Sequence, residues 1–92
     1  MKMNETQRLY LKRIVNEFNE ENDILFQVEH NSSLFSNIFC NAGMSVSCES
    51  FLVDLANELR DVLINSGIFR NVTNILFSAT KDSEIRLTIC VF

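Results

Sequence analysis

Glu84-Ile85-Arg86-Leu87-Thr88-Ile89-Cys90-Val91-Phe92 is the stretch on which the fold turns. Ile85, Leu87, Ile89 and Val91 fall on one parity, and Arg86, Thr88, Cys90 and Phe92 on the other. Successive side chains of a strand point to opposite faces, so this run reads as a strand with one face in a core. A strand buried on one side only is typical of antiparallel sheets. Val72 to Ala79 reads as its hairpin partner, joined through the polar turn Thr80-Lys81-Asp82-Ser83.

Upstream of that hairpin the period changes to that of a helix. Leu52, Leu55, Leu59, Val62 and Leu63 form one stripe with Ala56 beside it. Ser47 is the expected N-cap, Glu49 suits the positive end of the dipole, and Gly67 stands where a left-handed C-cap belongs. Earlier still, Ile24, Phe26 and Val28 alternate with Leu25, Gln27 and Glu29, a half-buried strand. His30-Asn31-Ser32-Ser33 supplies a turn, and Leu34 to Cys40 the return strand. Asn41-Ala42-Gly43 is a second turn, leading to a short strand over Met44 to Val46. The first segment, Asn4 to Asn22, opens on the capping box Asn4-Glu5-Thr6-Gln7 and places Leu11, Ile14, Val15 and Phe18 on one face. The order is α-β-β-β-α-β-β. Short connections favour antiparallel neighbours, so the expected fold is α+β: a two-layer domain with an antiparallel sheet of four to five strands and two helices on one face.

The 92 residues make a single domain, 1–92, with 47% apolar residues, no proline and a net charge of −4. Such a chain is too apolar for disorder. Its acidity disfavours direct nucleic-acid binding, which draws on Lys and Arg to neutralise phosphates. The stretch free of charge, His30 to Cys48, is broken by asparagines and serines and cannot cross a membrane as a helix. Met1 to Tyr10 lacks the apolar core of a signal peptide, and three cysteines are an odd number for a disulfide framework. A cytoplasmic protein with reduced thiols is the expectation.

No catalytic, cofactor-binding or metal-binding set emerges. His30 is the one histidine, and neither Cys40 nor Cys48 sits in a nucleophile motif that would make a Cys–His dyad with it. Cys40 and Cys48 are eight apart with no CxxC pair, which is not a zinc pattern. Gly43 and Gly67 are the only glycines, too few for a phosphate loop.

Two features stand out. The first is acidic: Glu17, Glu20, Glu21 and Asp23 crowd the end of the first helix, and Asp54, Glu58 and Asp61 recur at i, i+4 and i+7 on the second. Like charges at those spacings oppose helix formation slightly, so a solvated face competes with an acidic surface for a basic partner, such as a protein with a nucleic-acid site. The second is apolar: Leu34 to Cys40 is hydrophobic on both parities, with Phe35 and Phe39 opposite Ile38 and Cys40. Ile75-Leu76-Phe77 is two-sided in the same way, Leu25 lies on the polar parity of its strand, and Phe92 opposite the buried face of the last one. Either an irregular strand turns these side chains inward, or an uncovered sheet face meets another protein or another copy.

In size and composition the chain resembles the small, acidic, asparagine-rich, single-domain proteins that phages and other mobile elements encode to block a host protein. Inhibitors of bacterial defence systems, anti-CRISPR proteins included, are of this kind. The resemblance implies a non-enzymatic inhibitor or regulator acting by occlusion in the host cytoplasm. Its acidic helical surface and apolar sheet residues would then meet the partner. The competing expectation is a homodimeric structural or assembly subunit that associates through its sheet face.

Overall fold

The computed structural model describes residues 3–42, 46–79 and 85–92, with side chains over 3–41, 50–74 and 85–92. The elements are α1 (Glu5–Asn22), β1 (Gln27–His30), β2 (Ser36–Ala42), α2 (Val46–Asn65), β3 (Val72–Ala79) and β4 (Ile85–Val91). The fold is α+β, with four strands in one antiparallel sheet of order β1-β2-β4-β3 and both helices on one face.

The alternation of β4 is what sets the layers. Ile85, Leu87, Ile89 and Val91 are all buried beneath the helices. With β2 on one side and β3 on the other, β4 is a central strand, and its register fixes which side chains of both neighbours point inward. Ile38 and Cys40 of β2 join the same core, as do Leu11, Val15 and Phe18 of α1 and Leu52, Leu55, Ala56, Leu59 and Leu63 of α2. Val62, expected in the α2 stripe, is 45% exposed, because it stands about 100° round the helix from the fully buried Leu63.

The α1 capping box is present in full. Gln7 N–H donates to Asn4 Oδ1 at 2.8 Å, and Asn4 N–H donates to Gln7 Oε1 at 2.9 Å. At its other end α1 closes on Asp23 in the left-handed region, φ 51°, whose N–H donates to Asn19 O. Asn19 then does the work of a neighbouring strand. Its side chain accepts from Phe26 N–H at 2.8 Å and donates to Phe26 O at 2.9 Å, so sheet pairing of the 24–30 segment begins only at Gln27. The alternation nevertheless runs on through it, with Phe26 buried and Leu25 68% exposed.

Three expectations between Cys40 and α2 are corrected. Asn41 and Ala42, expected in a turn, are the last residues of β2, paired with Arg86 and Ile85. Val46, assigned to a short strand, is the first residue of α2, and Ser47, assigned as its cap, lies inside the helix. A three-residue strand has too few backbone bonds to compete with a helix whose apolar stripe begins just downstream. Met44 lies outside the described residues, as does the turn Thr80-Lys81-Asp82-Ser83. At the end of α2, Gly67 adopts φ +68° and its N–H donates to Ile64 O at 3.2 Å, the left-handed closure its position implies.

Candidate functional site: two opposed surfaces

The chain path sets the helices antiparallel. α1 starts beside the β1–β2 turn, where Met3 N–H donates to Ser33 O and Arg8 Nη2 to Ser32 O. α2 starts beyond the other end of β2 and finishes near the start of α1, where Gln7 Nε2 donates to Ile68 O at 2.9 Å. The acidic end of α1, with Glu17, Glu20, Glu21 and Asp23, therefore lies toward the end of the domain where α2 begins, and Asp54 stands near the middle of α2. Glu58 and Asp61 continue the series along α2. All seven carboxylates are exposed.

Charge is divided sharply between the layers. The two helices with the Asp23 cap carry nine acidic and four basic residues, against three acidic and four basic in the rest of the chain. The helical layer thus carries −5 and the rest of the chain +1, which together make the net −4. Among the described residues one ion pair offsets it, Arg13 Nε to Glu17 Oε1 at 3.2 Å, which is exposed and worth little in water. Neither helix has a basic residue in its last turn. Two exposed apolar side chains accompany the carboxylates. Phe51, 60% exposed, stands seven residues before Glu58, and Val62 stands four after it. At those spacings Phe51, Glu58 and Val62 form one row beside the row of Asp54 and Asp61. Sequence reading misses Phe51, whose signal is that it falls off the leucine stripe, and places Val62 in the buried stripe instead of on the surface.

The sheet residues lie on the other side. β2 pairs without interruption to β1 and β4, so no irregularity turns Phe35 and Phe39 inward. Both are half-buried on the face no helix covers. Phe35 packs against Phe92 with ring centroids 5.9 Å apart, and the Arg86 guanidinium lies 3.7 Å over the Phe39 ring. Cys90, opposite Asn37 and Thr73 on the flanking strands, is only 7% exposed although it is on this open face. The irregularity that does occur is in β3, between Ile75 and Ser78. The two-sided run Ile75-Leu76-Phe77 falls there, with its side chains outside the described set. The acidic and apolar surfaces are consequently not brought together: one tops the helices and the other is the back of the sheet.

His30 is paired with a serine rather than a thiol. Its Nδ1 is 2.6 Å from Ser36 Oγ, and Ser36 is fully buried, which keeps that hydroxyl from any substrate. Cys40 is four residues along β2 from Ser36, about 13 Å at the rise of a strand. Cys90 is on the opposite face, and the Cys48 side chain lies outside the described residues. Among the described residues no three His, Cys, Asp or Glu side chains gather at metal-binding separations, and no helix is long and apolar enough to cross a membrane.

Burial pushes the thiols of Cys40 and Cys90 above the ordinary cysteine value. Unfolded, each ionises near that ordinary value; folded, each keeps its proton to higher pH. Stability from this source is therefore complete below the unfolded pKa and drains as pH rises through the folded one. The urea midpoint is expected to fall from neutral to alkaline pH, and the slope to flatten in the Cys40→Ala/Cys90→Ala variant. In the native state at neutral pH, iodoacetamide should label both thiols far more slowly than in urea. Rapid native labelling of either would reveal a depressed thiol and contradict the burial described.

Set against protein-family models, curated proteins and solved structures, the chain matches none.

Proposed function

We propose that this protein is a non-enzymatic protein-binding module, a small inhibitor or regulator of the kind mobile elements encode, that occludes a basic site on its partner with its helical layer. The observation that carries this reading is the concentration of acidic charge in that layer, −5 against +1 for the rest of the chain. Among the described residues its carboxylates are exposed and one ion pair, Arg13–Glu17, is made. Holding like charges at i, i+4 and i+7 costs a helix roughly 0.2–0.5 kcal/mol per pair. A surface that accepts this cost gains when a cationic partner arrives, through faster encounter and complementary contact.

Phe51 and Val62 give the same surface its apolar content. An interface needs desolvated anchors within a polar rim, and an exposed phenylalanine flanked by Asp54 and Glu58 supplies that arrangement. The partner class is a protein whose own site is built for an anion, nucleic acid being the commonest. Competition tests this: a purified nucleic-acid-binding partner should release its nucleic acid as the protein is added, and progressively less so as salt is raised. Displacement that ignores salt would sink the electrostatic reading.

A further inference from the structure

We propose that the open face of the sheet is closed by a second copy of the same chain, giving a four-layer α-β-β-α dimer with the acidic helical layers outward. This does not rest on the partner-binding reading, since it concerns the other side of the domain. The surface is of the kind that sheets bury: Phe35, Phe39 and Phe92 surround Cys90, and two sheets pack face to face at about 10 Å with such side chains interleaved.

Charge selects the occupant. Glu29 and Arg86 are the only charged side chains that the described sheet register places on this face, one of each sign. Two copies can therefore meet there without like-charge repulsion, whereas helical layers with nine acids against four bases repel one another. A basic partner finds nothing to complement on the sheet side; an identical neutral face does.

Two further observations agree. Asn37 Oδ1 and Arg86 Nε are buried polar atoms without a hydrogen-bond partner, an acceptor and a donor on the same open face. A modest side-chain rotation toward a facing copy would satisfy both, Asn37 pairing amide to amide across the two-fold axis. The extent is also adequate. The broad side of the Cα framework spans 37 by 27 Å, while its thickness is only 17 Å. Taken as an ellipse, that outline encloses roughly 780 Å², comparable to the roughly 800 Å² each partner contributes to a standard interface.

Sedimentation equilibrium of the purified protein, from micromolar to high-micromolar concentration, provides the test. The expected mass is twice 10.6 kDa, halved by Phe39→Asp and by Thr88→Lys, with far-UV circular dichroism retained. Thr88 faces Phe39 across the sheet and is partly exposed, so its lysine decides the matter should Phe39→Asp fail to fold. Glu58→Lys, on the helical layer, should leave the dimer intact. A wild-type monomer throughout the range would overturn the proposal, as would a dimer that survives Thr88→Lys or one that Glu58→Lys dissociates.

Discussion

Replacing Asp54, Glu58 and Asp61 together by lysine is expected to weaken partner binding by at least about a hundredfold at low salt, which is about 2.7 kcal/mol. The substitution moves six units of charge on one exposed helix face and turns attraction into repulsion at the point of contact. Fold stability should hardly change, because each side chain is exposed and the like-charge repulsions removed from the helix are replaced by equivalent ones. Most of the loss should appear in the association rate and should shrink as salt rises, since steering acts over a Debye length of about 10 Å at 0.1 M. Stopped-flow association kinetics and titration calorimetry at two salt concentrations, with circular dichroism as the folding control, measure the rate and the affinity. Equal affinity for the triple variant and the wild type would remove the acidic layer from the account.

Leu87→Ala should lower stability by about 2–5 kcal/mol, a large fraction of the roughly 5–15 kcal/mol available to a domain. Leu87 is 1% exposed on the central strand, and β2 and β3 pair to it on either side, so little can collapse into the space left. At about 4–8 °C per kcal/mol for a domain of this size, the melting temperature should drop by on the order of 10–40 °C. Leu25→Ala is the control: the same chemistry at a residue 68% exposed should cost less than about 0.5 kcal/mol. Leu87→Ala tests the register of β4, because a one-residue slip would carry Leu87 to the open face of the sheet. Similar melting temperatures for the two variants would mean that the layers are wrongly assigned.

Much of this architecture was legible because several residues carry unambiguous local physics. The β4 alternation, the Asn4–Gln7 box and the glycine after α2 each admit one reading, and the structure has all three. What failed to show in the sequence depends on contacts between distant residues. Asn19 replaces a strand neighbour for Phe26, which no periodicity announces. Asp23 takes the left-handed cap of α1, a role a glycine would have advertised. Cys90 shares its parity with Arg86 and Thr88, yet its cross-strand neighbours bury it on a face no helix touches.

The candidate surfaces were legible in part. The carboxylates of α1 and α2 and the pair Phe35 and Phe39 stand out in the sequence, and each set is at the surface, the phenylalanines half-buried. Their placement on opposite sides was not readable, because it needs the strand order as well as the periods. That separation is why one contact cannot use both. On the proposed reading, the helical side meets a basic partner and the sheet side meets a second copy.

The most direct measurement places a photo-crosslinking residue at position 58, on the helical layer, or at position 39, on the back of the sheet. Each variant is irradiated in the cells that produce the protein. The account predicts a hetero-adduct from position 58, its yield falling when Asp54 and Asp61 are changed to lysine, and from position 39 an adduct of twice the chain mass. A hetero-adduct formed from position 39 and never from position 58 would contradict it.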